Sequence, residues 1–268
     1  MKSKFIQAAL VATTASLTLT NGPVAAAEFL DFTIEEGSVP GAVDRTIIGD
    51  KLNGGYEELL TINADFSFDT TAVATFGQIF ADQGSPPAEL SSLGCGFDPC
   101  YNLYAIFDSS GDFSGGTFTG TSGEFNLYID PEQDTGFVFG GTGAVTATTT
   151  NNTDDYLIAF ASNVTSLVGI ADDPGAFDFV WDDFTLTSGD QNAGTAGDQN
   201  GELYFTDPRP FYMTVNVDGD FDGFPVNPGN IGLTGDVSAV FVAVPEPAIL
   251  ALLGMGLAGL GVARRKKA

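Results

Sequence analysis

Phe177-Asp178-Phe179-Val180-Trp181-Asp182-Asp183-Phe184-Thr185-Leu186 is the stretch on which the fold turns. Phe177, Phe179 and Trp181 recur at every second position, the period that sends successive side chains to opposite faces of a strand. Phe184 and Leu186 keep that period but shift it by one residue. The slip falls at Asp182-Asp183, where a β-bulge is therefore expected. The same alternation runs through Phe125, Leu127 and Ile129, and through Met213, Val215 and Val217. It also runs through Ile62, Ala64, Phe66 and Phe68, with Asn63, Asp65 and Ser67 expected outward. Residues 101–107 are apolar on both faces and read as a central strand.

Turn-rich pieces separate these runs at residues 108–116, 140–143 and 189–201, and the one clear helix candidate is short, residues 87–93. Regular strands without alternating helices predict an all-β fold, a β-sandwich or jelly-roll-like single domain. Gly-Asp-Gln-Asn occurs at residues 189–192 and again at 197–200, a local duplication rather than a repeat architecture. Residues 142–153 are Thr-rich, and Asn151-Asn152-Thr153 and Asn163-Val164-Thr165 fit the N-glycosylation pattern.

Charge is distributed in three zones. Of the nine Lys and Arg residues, Lys2 and Lys4 stand at the start and Arg264, Arg265, Lys266 and Lys267 at the end. Between residues 28 and 247 only Arg45, Lys51 and Arg209 oppose all 35 acidic residues, a net charge of −32. Such a domain repels nucleic acid and anionic lipid, and it attracts cations. A disordered acidic tail would lack the 23 Phe residues.

The two ends read as addresses. Lys2 and Lys4, a short run of apolar and small residues, then Ala25-Ala26-Ala27 make a secretory signal peptide over residues 1–27, with cleavage between Ala27 and Glu28. At the other end Val244-Pro245-Glu246-Pro247 precedes sixteen uncharged residues, 248–263, and then the four cations. Sixteen helical residues reach ~24 Å, a little short of a ~30 Å hydrocarbon core, so transient insertion into the inner membrane is expected, with the cations left in the cytoplasm. The prolines hold the preceding backbone extended and open to a processing enzyme. Gly254, Gly256 and Gly259 spell G-x-G-x-x-G, but with no strand before them they suit helix packing in lipid better than a dinucleotide. The acidic β-domain then spans residues 28–243 and the sorting segment 244–268.

This tripartite end resembles the PEP-CTERM sorting signal. The resemblance implies recognition by exosortase, after signal peptidase, in a Gram-negative bacterium. It also implies a place at the cell surface or in the extracellular polysaccharide. Residues 32–41 (FTIEEGSVPG) and 50–57 (DKLNGGYE) further resemble the start of the flocculation-associated PEP-CTERM proteins, which implies a part in holding cells and polysaccharide together.

The chemistry of sites is mostly told by what is missing. With no His in the chain, Ser-His-Asp and Cys-His constellations and His metal sites are excluded. Cys95 and Cys100 are the only cysteines, and in an exported chain they predict a local disulfide. Asp218-Gly219-Asp220-Phe221-Asp222-Gly223 matches the first six positions of a calcium loop, so Asp218, Asp220 and Asp222 are candidate calcium ligands. Gly229 stands where that loop needs its bidentate Glu, and an Asp-Gly turn is the competing reading. The acid pairs Asp154-Asp155, Asp172-Asp173 and Asp182-Asp183 carry no glycosidase geometry by adjacency alone. The expectation is an exported structural or adhesive protein of the polysaccharide matrix, not an enzyme and with no nucleic-acid partner. A calcium-dependent carbohydrate-binding module is the first alternative and an exopolysaccharide hydrolase the second.

Overall fold

The computed structural model describes residues 30–81, 92–94, 100–139, 147–171, 175–189, 200–208, 213–221 and 227–243. In chain order the strands are β1 (Phe32–Glu35), β2 (Thr46–Gly49), β3 (Lys51–Ile62), β4 (Ser67–Phe80) and β5 (Asn102–Ser114). Next come β6 (Thr117–Asp130), β7 (Gly136–Phe139), β8 (Ala147–Thr150), β9 (Tyr156–Ala161), β10 (Val164–Ile170) and β11 (Gly175–Leu186). A four-residue helix, α1 (Gly201–Tyr204), leads into β12 (Phe205–Asp207), and β13 (Met213–Phe221) and β14 (Gly229–Ala243) complete the set.

The all-β expectation holds, and the layers belong to one sheet. Its order is β10-β11-β13-β14-β3-β4-β5-β6-β9, and β6 also pairs with β10 while β11 also pairs with β9. The sheet therefore closes on itself, which abolishes its open edges. Period-two patterning is the same in an open sandwich and a closed sheet, so closure is not visible in the sequence. The seam is filled by two consecutive strands. β10 takes one end, opposite residues 117–119 of β6, and β9 takes the other, opposite residues 125–129.

The bulge expected at Asp182-Asp183 is what lets β11 serve both. Its register against β13 shifts between Trp181 and Phe184. Before the shift β11 pairs with β10, and after it Thr185 and Leu186 pair with β9. Asp183 then caps the β9–β10 turn, accepting from Ser162 N at 3.0 and 3.1 Å and from Asn163 N at 2.9 Å.

The interior is aromatic. Trp181 is fully buried against Phe125 (centroids 5.5 Å apart), Phe107 (6.0 Å) and Phe179 (5.8 Å). Its indole N–H donates to Gly123 O at 3.2 Å, as a buried indole must find an acceptor. Phe125, Leu127 and Ile129 are all buried, as the alternation predicts, and so are Leu103, Ala105 and Phe107 of the central strand β5. At one end a small sheet, β12-β1-β2, packs Phe32 on Phe205 (5.7 Å) and Phe241 (5.2 Å). There the buried Glu36 accepts from Ser92 N at 2.8 Å and from the Tyr101 hydroxyl at 3.2 Å, and Tyr101 meets the Tyr204 hydroxyl at 2.9 Å.

Two expectations are corrected. The run Ile62–Phe68 is a hairpin rather than one strand: Ile62 pairs with Phe68, and residues 63–66 turn the chain. Asn63 N donates to Ser67 O (2.9 Å), Phe66 N donates to Asn63 O (3.0 Å), and Asp65 accepts from the Ser67 hydroxyl and N–H at 2.8 and 3.1 Å. Phe66 misled because it continues the apolar alternation, yet it sits at the turn, 43% exposed. Conversely, most of residues 108–116 is strand: β5 runs to Ser114, and only Gly115-Gly116, with φ of +62° and +88°, form the turn. Gly111 is a strand residue at a register shift, where a Cβ would lie 2.1 Å from Thr119 O. The helix candidate at 87–93 and the turn at 140–143 lie wholly or mostly outside the described residues.

Candidate functional site

The strands that bury Phe107 and Phe125 inward present polar residues outward. Asp108, Ser110, Ser122 and Glu124 stand on the outer face of β5 and β6, beside Asp69 and Thr71 of β4, and line a groove of about 600 Å³. Its walls are hydrogen-bonded across the strands: Thr71 donates to Asp108 at 2.5 Å, Asn63 to Asp69 at 3.2 Å, and the Ser110 and Ser122 hydroxyls meet at 2.7 Å. Further along the same face, Glu57, Val73, Thr75 and Phe137 border a second recess of about 430 Å³. Phe137 belongs to the β7–β8 hairpin and rests edge-on against Tyr104 (5.0 Å), which in turn stacks on Tyr128 (5.1 Å, 13°).

At the end of this face three carboxylates converge. Asp130 closes β6, Asp154 and Asp155 precede β9, and one oxygen from each lies within 4.8 Å of the others. Asp130 is buried and accepts from the N–H of Asp134 (3.3 Å) and Thr135 (3.2 Å). Asp155 accepts from the Tyr104 hydroxyl at 2.5 Å and the Thr135 hydroxyl at 2.7 Å. Burial raises the Asp155 carboxyl above its ordinary value; those two hydroxyls oppose the shift, and Asp130 and Asp154 add to it. Burial likewise raises the Tyr104 phenol, with Asp155 contributing. Hard oxygen ligands of this kind suit a divalent cation such as calcium. Asp154-Asp155 was visible in the sequence as an acid pair, but Asp130 is brought to it only by the β6–β9 pairing.

One carboxylate points the other way. Glu58 alternates with Tyr56 and Leu60 on the inner face of β3, beside a small apolar cavity of about 30 Å³ bordered by Phe68, Phe118, Leu167 and Phe179. The Thr70 hydroxyl donates to it at 2.5 Å. Burial pushes its pKa up to about 7, with the Thr70 bond pulling it down.

The positions singled out in the sequence are scattered. Asp218 and Asp220 lie within β13, where the backbone is laddered on both sides: Asp218 opposite Asp178 and Ser238, Asp220 opposite Ala176 and Asp236. The strand thus continues four residues past Val217, to Phe221; Asp222 lies outside the described residues. Asp183 is committed to the β9–β10 turn, and Asp172-Asp173 lie outside the described residues. Cys100 is buried and disulfide-bonded; Cys95, the only other cysteine, lies outside the described residues. So do Ala27 and Glu28, Val244 to Pro247, and Arg264 to Lys267. Among the described residues no helix is long and apolar enough to cross a membrane.

No curated protein and no solved structure matches the chain. Its C-terminal end does find a match. Residues 243–267 match the PEP-CTERM protein-sorting motif, beginning at the last residue of β14. The chain therefore carries a PEP-CTERM sorting motif at its C-terminal end, and that motif implies processing by exosortase and export to the surface or exterior of a Gram-negative cell.

Proposed function

We propose that the protein is a structural, adhesive component of the extracellular polysaccharide matrix that promotes flocculation or biofilm formation, and that it performs no catalysis. The observation that carries this reading is the sorting motif joined directly to a closed acidic barrel. Residues 28–247, with 35 acids against three cations, have little attraction for anionic polymers in the absence of divalent ions. In their presence its exposed carboxylates join the protein to acidic polysaccharide and to other copies. Each contact is weak, and many together hold, as multivalent attachment requires. The resemblance of residues 32–41 and 50–57 to flocculation-associated proteins supports the same reading.

The test is aggregation of the purified protein with polysaccharide from the same cells. Calcium is expected to produce aggregates that a chelator disperses. Aggregates indifferent to chelator would sink the bridging mechanism. Intact protein held only in the inner membrane would sink the matrix role as a whole.

A further inference from the structure

Two glycines stand side by side in β3, and packing explains only one of them. Gly54 sits at the register shift between β3 and β4, where a Cβ would come within 1.9 Å of Thr75 O, so only glycine fits. Gly55 is different. It is exposed, it lies in the ladder opposite Thr75 and Asp236, and a Cβ on it would meet only Gly235 O, at 3.5 Å, an ordinary contact. A strand glycine that neither a bulge nor a neighbour demands weakens the strand, and it marks a place where something approaches the backbone closely. Gly55 lines the recess of about 430 Å³ on the outer face of the barrel.

An aromatic ring lines the same recess. Phe137 of β7 is partly exposed there, and its position is fixed. The ring rests edge-on against Tyr104 at 5.0 Å, Tyr104 stacks on Tyr128 at 5.1 Å, and the Tyr104 hydroxyl donates to Asp155 at 2.5 Å. Phe137 is also laddered opposite Thr149 in the β7–β8 hairpin. Glu57 on β3, Thr75 on β4 and Thr234 on β14 bring a carboxylate and two hydroxyls to the lining. The walls of the larger groove bond to one another, whereas among the described residues these three side chains have no partner in the fold.

We propose that this recess binds one unit of a neutral polysaccharide, a pyranose seated against Phe137. One face of a pyranose is a sheet of C–H bonds, which suits a fixed aromatic ring. Its hydroxyls need polar partners, and Glu57, Thr75 and Thr234 are there to meet them. An apolar wall with a few convergent polar groups is the usual make-up of a binding recess of this size. The missing side chain at Gly55 lets the sugar come down to the sheet. Among the described residues no Lys or Arg lines the recess, so a uronate or sulfate finds no countercharge and meets Glu57 instead. The inference rests on the matrix reading and gives it a direct contact with sugar that needs no cation.

Calorimetric titration of the full chain with cellohexaose, laminarihexaose and mannohexaose, in chelator, tests it, with a guluronate hexamer as the acidic arm. At least one neutral chain is expected to bind, and guluronate is not. Phe137→Leu keeps an apolar contact for Tyr104 but removes the ring, and Gly55→Val fills the floor; each should weaken binding roughly tenfold or more. The thermal midpoint of Gly55→Val should hold or rise, because valine prefers a strand. Should it fall, Phe137→Leu alone decides. Glu57→Gln should weaken binding less. No binding of any neutral chain, guluronate bound as tightly as they are, or binding unchanged in Phe137→Leu overturns the site. The matrix reading fails separately, on absence of the protein from the matrix.

Discussion

The two faces of β5 and β6 share backbone, register and neighbours, yet they do different work. Inward, Leu103, Phe107, Phe125 and Ile129 are all buried, and Phe125 packs on Trp181. Outward, the same strands carry Tyr104, Asp108, Ser110, Ser122 and Glu124. Stability sits on one side of the ladder and chemistry on the other, so a change on one face should leave the other readable. Glu58 is the exception, an acid on the apolar side.

Breaking the inner face should have the largest effect. Trp181→Ala removes the central ring and orphans the Gly123 carbonyl; a loss of about 3–5 kcal/mol in urea unfolding is expected. A loss under about 1 kcal/mol would mean that the interior does not centre on Trp181. Glu58 sharpens the comparison through pH. Folded, it keeps its proton up to about pH 7; unfolded, it releases it near its ordinary value of 4.5. Its contribution is therefore fully present below about pH 4.5, declines as pH rises through 7, and is gone above. About 2–3 kcal/mol should disappear between pH 5 and 8 in the wild type and much less in Glu58→Gln. Equal pH profiles for the two proteins would contradict the burial of this carboxyl.

The seam comes next. Asp183→Ala removes the acceptor of the Ser162 N–H and hydroxyl and of the Asn163 N–H at the β9–β10 turn and should cost about 1–2 kcal/mol, with hydrogen exchange quickening first at Ser162 and Asn163. Uniform exchange across the barrel would argue against local capping. The smallest effect belongs to the turn at residues 63–66. Phe66→Gly should change stability by no more than about 1 kcal/mol, toward greater stability if relief of the left-handed backbone (φ +65°) outweighs the lost Phe113 contact. A loss above about 2 kcal/mol would make Phe66 a packing residue.

Legibility in the sequence followed locality. Phe125-x-Leu127-x-Ile129 and the one-residue slip before Phe184 were readable because burial imposes a period of two within a single strand. The hairpin at residues 63–66 was hidden because Phe66 keeps the alternation while occupying a turn. The strand through residues 108–114 was hidden because its outer face is Asp and Ser and its inner face includes Gly111. Closure was not readable at all, since it depends on β6 meeting β10 and β9, a pairing no local pattern encodes. The sites divide in the same way. The sorting motif is contiguous and was legible in full, whereas Asp130 joins Asp154 and Asp155 only across a strand pair. The calcium-loop spelling at Asp218 was local too; Asp218 and Asp220 stand in a strand laddered on both sides, a pairing the spelling does not encode, and Asp222 lies outside the described residues.

β14 pairs with β3 along residues 229–240 and with β13 along 235–243, so it is an inner stave rather than an edge. The ribosome makes β3 early and β14 last. The ring thus stays open for most of the chain's synthesis and export, and it can be completed only when the residues immediately before the sorting motif have emerged. The body and its address therefore become whole at almost the same moment. Exosortase, meeting a motif that begins at the last residue of that strand, is offered cargo whose assembly is finishing as the tail arrives.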